Sequence, residues 1–261
     1  MTAIVDTAEL RERVREMYRV VATDPGADLH FETGRALAER LGYPAEWLDA
    51  VPPAALASFA GVGHMLDLAA IEPGDTVLDL GSGSGTDAFV AAALAGPAGR
   101  VIGVDMTDAQ LAKARGLAGG RPGLEFVEGL IEDPPVAPGS VDVVISNGVI
   151  NLAPDKDVVF RAVAGALRPG GRLAIADIVS ARELADRTRA NVALWAACIA
   201  GAVPRDDYLG AIERAGLRIE TVRENEYRFT SDRARAAAEK YGVTSVTVLA
   251  TKPGLSSGAD G

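Results

Sequence analysis

The segment TVLDLGSGSGT, Thr76 to Thr86, reads as a strand, a turn and the start of a helix within eleven residues. Four of its first five residues are β-branched or aliphatic, which suits a strand covered on both faces of a parallel sheet. Gly81, Gly83 and Gly85 follow as G-x-G-x-G. Lacking Cβ atoms, they admit positive φ and let a ligand approach the backbone closely. The apolar run from Ala88 to Ala95 continues as helix. A strand, a glycine turn and a helix N-terminus together place a nucleotide-type site at the carboxyl edge of a sheet.

Outward from this segment the pattern alternates. Strands are expected at Thr76 to Leu80, Arg100 to Val104, Leu124 to Val127, Val141 to Ser146 and Arg172 to Ile178, with helices at 86 to 95, 108 to 118 and 155 to 167. Strands separated by single helices are the sequence form of an α/β fold with a doubly wound, mostly parallel sheet. RPGGR, 168 to 172, reads as a tight helix-to-strand turn, and Leu217 to Val222 and Ser245 to Thr251 supply two last strands. Residues 204 to 217 read as an amphipathic helix, as do 6 to 22, where Leu10, Val14, Met17, Val20 and Val21 recur at helical spacing. Pro44, Pro52 and Pro53 fall where first helical turns accept proline. The expected organisation is an N-terminal helical extension over 1–70, a core over 71–252 with a helical cap insertion at about 181–204, and a disordered polar tail over 253–261.

Composition narrows the function. The 26 Lys and Arg against 36 Asp and Glu give a net charge of -10, poor electrostatics for a phosphate backbone, so no nucleic-acid partner is expected. No apolar run reaches the length of a membrane span, and the charged N-terminus does not resemble a signal peptide. A cytoplasmic protein without a membrane partner is therefore expected. Cys198 is the only cysteine and His30 and His64 the only histidines, which excludes an internal disulfide framework and a thiolate zinc site. No metal is expected.

The chemistry starts from two carboxylates. Asp105 ends the second strand 24 residues after Gly81, where an acidic side chain accepts hydrogen bonds from ribose hydroxyls. Thr86 stands where a dinucleotide fingerprint carries Gly or Ala, and Asp79 within the strand would repel a pyrophosphate. A cationic ligand fits this acidic turn better. S-Adenosylmethionine, with its sulfonium and ammonium groups, is such a ligand.

DLGSGSG, GVDMT, FVEGLIEDPP, VDVVISNGVINLAPDK and LRPGGRLAIADIV together resemble class I S-adenosylmethionine-dependent methyltransferases, and more narrowly the arsenite methyltransferase family, over residues 42 to 217. The resemblance implies a Rossmann-like sheet of seven strands with a reversed last strand. It implies S-adenosyl-L-methionine as cofactor, with contacts at Gly81, Ser82 and Gly83, Asp105 on the ribose, and Met106 against Leu130 and Ile131 around the adenine. Asn147 is placed near the methionine end, and Asp87 matches an acidic position that meets the ammonium. The chain departs from the family in its cysteines. Arsenite methyltransferases hold arsenic with several thiolates, yet the position after the fourth strand is Gly148 and none lies in FAGVGH, 59 to 64. One thiol at Cys198 does not replace a three-thiolate site.

A small organic metabolite methylated at O or C, natural-product or quinone-like, is therefore the expected acceptor. Arsenite methylation is the nearest alternative, with an NAD(P)-dependent oxidoreductase and a non-catalytic adenosylmethionine-binding protein as readings from other classes. In-line displacement on the activated methyl needs alignment and, for an O or C acceptor, removal of a proton. His64 is the candidate base, and Tyr18 resembles the tyrosine that closes over the cofactor in related enzymes. His30, Phe31, Trp195, Cys198 and Tyr227, with Phe229, are expected to wall the acceptor pocket.

Overall fold

The computed structural model describes residues 7–27, 29, 31–185, 188, 195 and 199–254. Five helices precede the sheet: α1 Thr7–Thr23, α2 Arg35–Arg40, α3 Ala45–Asp49, α4 Pro53–Ala57 and α5 Leu66–Ala69. The alternating region follows as β1 Thr76–Leu80, α6 Thr86–Ala95, β2 Arg100–Asp105, α7 Asp108–Ala118, β3 Leu124–Glu128, β4 Val141–Asn147, α8 Lys156–Ala166 and β5 Leu167–Val179. The chain then forms α9 Arg205–Arg214, β6 Arg218–Asn225, α10 Asp232–Tyr241 and β7 Thr244–Thr251. The seven strands run in the order β3-β2-β1-β4-β5-β7-β6. β1 to β5 pair in parallel, and β7 is antiparallel to both β5 and β6.

Each central strand is buried on both faces, which explains its nearly continuous apolar sequence. Val77, Val101, Val143 and Ile145 face α6, α7 and the N-terminal helices in one cluster. Leu78, Leu80, Ile102, Val144 and Leu173 face Phe160 of α8 and Tyr208 of α9 in the other. Since side chains alternate along a strand, Asp79 shares the face of Val77 and so points under the N-terminal helices.

Several expected boundaries change. RPGGR does not separate helix from strand: Val141 pairs with Leu167 and Val143 with Arg172, so residues 168–171 bulge out of a strand that has already begun. Gly170, at φ 79°, makes that bulge passable. The strands ending at 222 and 104 in the sequence reading extend to Asn225 and Asp105. Pro44 and Pro52 precede α3 and α4, and only Pro53 occupies a first helical position. Of the expected cap, residues 181–185 are not helical and most of the remainder lies outside the described residues, as does the tail from 255. Among the described residues no helix is long and apolar enough to cross a membrane.

The N-terminal helices are joined to the sheet where Arg172 of β5 donates to the carbonyls of Ala69 and Ala70, both at 3.0 Å, and pairs with Asp75 at 2.8 Å. Ala70 ends α5 in the left-handed region, at φ 46°, a conformation a Cβ disfavours by about 1–2 kcal/mol. Ala70→Gly relieves that strain while keeping the carbonyl, at some entropic cost in the unfolded chain. The expected outcome is a gain of roughly 0.5–1 kcal/mol in urea unfolding; a loss of stability would contradict it.

Candidate active site

β1 lies between β2 and β4, so the chain leaves the sheet in opposite directions from β1 and β4 and opens a crevice at their carboxyl ends. The glycine turn fills one side. The amides of Gly81 and Ser82 both donate to Val104 O, at 2.8 and 3.0 Å, which ties the turn to β2. Gly81, Gly83 and Gly85 have φ of 73°, 54° and 95°. A Cβ on Gly81 would lie 2.4 Å from Val149 Cγ2, so only glycine fits beneath that side chain. Gly83 is open, with nothing nearer than Gln110 at 3.8 Å.

Three carboxylates converge on the crevice. Asp79 is 2% exposed, and its Oδ2 has no hydrogen-bond partner. Burial, then the charges of Asp87 and Asp105, push its pKa well above the usual carboxylate range. Asp87 lies in the first turn of α6. Burial raises it to about 6, against hydrogen bonds from Tyr43 and Asn147 that favour the charged form. Burial also raises Asp105, whose two oxygens accept from Gly83 N at 2.9 Å and Thr107 N at 2.8 Å. Among the described residues no Lys or Arg forms an ion pair with any of the three.

The crevice is lined further by Met106, Gln110, Leu130, Ile131, Glu132 and Asn147, and holds about 1040 Å³ of empty space, open solvent at its mouth included. That accommodates a nucleoside-sized ligand with room beyond it. α1 crosses above, contributing Leu10, Arg11, Val14 and Tyr18. It is held by polar contacts along its length: Arg11 pairs with Glu132 at 3.1 Å, Arg15 Nε donates to Met106 O at 3.3 Å, and Gln110 Nε2 donates to Tyr18 O at 3.0 Å.

The family model described as "Methyltransferase domain" matches residues 71–228. The chain is 39% identical to an arsenite methyltransferase of Halobacterium salinarum over 97% of its own length and 69% of that protein's. It is 40% identical to one from Aquipseudomonas alcaligenes over 75% of its own length, spanning 58% of that relative. Among solved structures, the arsenic(III) S-adenosylmethionine methyltransferase of Chlamydomonas reinhardtii superposes with a TM-score of 0.64 at 31% identity, covering 86% of this chain and 75% of that one. The chain belongs to the class I S-adenosylmethionine-dependent methyltransferases.

For a methyltransferase of this class the crevice fits its cofactor. An acidic, uncompensated cleft with an orphaned Asp79 oxygen suits a ligand bearing a sulfonium and an ammonium, and opposes a pyrophosphate. The buried Ser82 Oγ also lacks a partner, and the glycines leave the space that a nucleoside needs. Asp79, Gly81, Ser82, Gly83, Asp87, Asp105, Met106, Leu130, Ile131, Asn147 and Tyr18 all line this single crevice.

The expected acceptor and base residues are not brought together in the same way. His64 does not line the crevice; its ring packs 4.3 Å from Tyr43 and edge-on to Trp47 at 5.7 Å. Its Nδ1 lies 3.9 Å from Asp67, and burial lowers its pKa, which favours the neutral ring of a packed residue. Phe31 stacks on Tyr18 at 6.3 Å behind the lining. Trp195 is buried beneath Lys156 Nζ at 5.7 Å, and Tyr227 packs edge-on to Phe229 at 5.2 Å. None of these four is part of the described lining. His30 and Cys198 lie outside the described residues.

Tyr43 and Gln110 carry no motif and were not singled out by the sequence reading. Tyr43 is placed by the end of α2: Gly42, at φ 97°, donates to Glu39 O and Tyr43 N to Ala38 O, both at 3.1 Å. This paired reverse hydrogen bonding is a Schellman motif, which turns the following side chain inward. The signal LGYP was present, but only as a helix stop.

The raised carboxylates have a thermodynamic consequence. A carboxyl whose folded pKa lies above its unfolded value stabilises the folded state fully below the unfolded pKa, and that contribution is lost as pH rises through the folded pKa. For Asp87 this window runs from about 4 to about 6; for Asp79 it extends higher. Asp79→Asn is therefore expected to raise the ligand-free Tm at pH 7, by about 2–4 °C per kcal/mol relieved, with the gain shrinking towards pH 4. The same variant should bind S-adenosylmethionine more weakly. Calorimetry with and without the cofactor checks both, and unchanged affinity would remove Asp79 from the site.

Proposed function

We propose that this methyltransferase transfers the methyl group to O or C of a small, largely apolar organic acceptor. Gly148 and Val62 carry this reading. The family's cysteine position after β4 is Gly148, and a Cβ there would lie 3.2 Å from Val62 Cγ1, in the 59–64 segment where a second family cysteine falls. An aliphatic contact thus stands where a soft metalloid would need thiolates. Leu10, Val14, Phe59, Ala60, Val149 and Leu152 give the lining an apolar side suited to an organic acceptor.

In this reading the bound cofactor supplies a sulfonium-activated methyl group. Asp105 holds the ribose, Met106 and the Leu130–Ile131 pair enclose the adenine, and Gly81, Ser82 and Gly83 receive the chain between them. Asp87 and Asp79 hold the methionine ammonium, with Asn147 donating to Asp87 beside it. Tyr18, on α1, closes the crevice and excludes water, so alignment of the acceptor behind the methyl group provides most of the rate enhancement. Within the described lining, Asp105 and Glu132 are already engaged, with backbone amides and Arg11 respectively. No histidine stands there as base, so the acceptors favoured are those that release their proton readily, such as phenols and enols, which lose it to bulk solvent before the crevice closes.

Incubation with S-adenosylmethionine and a panel of phenolic, quinol and enolic acceptors, with thiol-complexed arsenite in parallel, tests this by S-adenosylhomocysteine release. Organic acceptors should turn over and arsenite should not. Arsenite methylation at the rate of the best organic acceptor would refute the proposal. In the same assay His64→Ala should leave kcat intact while costing about 1–3 kcal/mol of stability through the lost packing; loss of kcat in the folded variant would restore His64 as base.

A further inference from the structure

The network behind Asp87 involves a residue that neither the glycine turn nor the carboxylate motifs disclose. Tyr43 is 3% exposed, and its hydroxyl donates to Asp87 Oδ1 at 2.6 Å. The Tyr43 hydroxyl oxygen accepts from Asn147 Nδ2 at 3.1 Å, and that amide also donates to Asp87 Oδ2 at 3.2 Å. Asn147 is held in turn by the 59–64 segment: its Oδ1 accepts from Val62 N at 2.8 Å and its Nδ2 donates to Gly63 O at 3.0 Å. Tyr43 therefore joins α2, β4 and α6 at one carboxylate. Its ring cannot move aside, since Phe59 packs edge-on at 5.3 Å and His64 covers it at 4.3 Å.

We propose that Tyr43 is a positioning residue for cofactor binding: its buried hydroxyl fixes the Asp87 carboxylate and keeps it ionised, so that the site selects ligands carrying the methionine ammonium. The inference rests on Asp87 as the ammonium partner. Its chemistry follows from the surroundings. Asp87 lines the crevice with Asp79 and Asp105, and its charge pushes the Asp79 pKa up. Burial opposes the ionisation of Asp87 itself, and the hydrogen bonds from Tyr43 and Asn147 act the other way. The Tyr43 phenol is itself pushed well above its ordinary pKa by burial and by Asp87, so it remains a donor across the working pH range. Of the other groups against Tyr43, Met65 is uncharged, its Sδ 3.9 Å from the hydroxyl, and burial pushes the His64 pKa down while Asp67 acts the other way.

Binding calorimetry with two ligands tests this. S-Adenosylhomocysteine carries the ammonium; methylthioadenosine has the same nucleoside and sulfur without the amino-acid group. Tyr43→Phe should weaken S-adenosylhomocysteine about tenfold at pH 6.5, the scale of a hydrogen bond to a charged group, and leave methylthioadenosine unchanged. The pH at which S-adenosylhomocysteine affinity rises should also move upward, since a carboxyl deprived of the phenol ionises later. Asp87→Asn should show the same ligand-selective loss, and adding Tyr43→Phe to it should have no further effect. Equal losses for both ligands would overturn the proposal, because Tyr43 would then only support the fold. Selective loss in Asp87→Asn with none in Tyr43→Phe would overturn the Tyr43 role alone, and no selective loss in Asp87→Asn would overturn the role and the reading beneath it. Should Tyr43→Phe not fold, site-specific 3-fluorotyrosine at position 43 serves instead. Its stronger donor should lower the pH midpoint, and an unchanged or raised midpoint would overturn the proposal.

Discussion

Burial of Asp79, Asp87 and Asp105 around one crevice is the constraint to which the rest of the site answers. Carboxyls drawn out of water towards the ends of β1 and β2 and in the first turn of α6 cost stability unless each is hydrogen-bonded or neutralised. The fold offsets the cost unevenly. Asp105 has two backbone amides, Asp87 has Tyr43 and Asn147, and Asp79 is left with an orphaned oxygen. The least satisfied group is thus the one nearest the strand core, where a ligand cation gains most from low dielectric. Ionisation of these three side chains and stability of the protein are therefore linked.

The N-terminal helices belong to this electrostatic arrangement as well as to the packing. α1 supplies Arg11 and Arg15 at the rim, where they bind Glu132 and the Met106 carbonyl instead of the three central carboxylates. A guanidinium placed deeper would satisfy Asp79 or Asp105 and compete with the cofactor for them. α2 and the loop before α3 supply a neutral donor instead, the Tyr43 phenol, which supports an anion without cancelling its charge. The extension thus covers the crevice with apolar side chains, places its cations outside, and sends one uncharged hydroxyl to the centre.

This division explains what the sequence disclosed. The strands, their parallel order and the lining of the crevice expected to meet the cofactor are local features: Asp79, Gly81 to Gly83 and Asp87 lie within nine residues of one another, and Asp105 and Asn147 stand at strand ends that hydrophobic patterning marks. Tyr43 lies 44 residues from Asp87, and nothing in LGYP distinguishes a helix stop from a functional hydroxyl. His64 presents the opposite case. A lone histidine ahead of a sheet reads alike whether it enters the cleft or packs on an aromatic ring, and here Tyr43 and Trp47 claim it. The bulge at RPGGR was hidden because Pro and Gly mark a break in pairing, not whether the strand resumes on the same partner.

The contact between Val62 and Gly148 carries a further consequence for how the acceptor side differs from the cofactor side. Gly148 has φ 73°, a conformation in which any side chain is strained, and a Cβ there would press on Val62 at 3.2 Å. Introducing cysteine at 148 alone would therefore meet both backbone strain and overpacking, so the two positions are coupled: a thiol at 148 requires a smaller or displaced residue at 62. Val62 N is also the donor that holds Asn147 Oδ1, and Asn147 reaches Asp87. A change at 62 and 148 would thus be transmitted through one hydrogen-bonded asparagine to the Asp87 carboxylate.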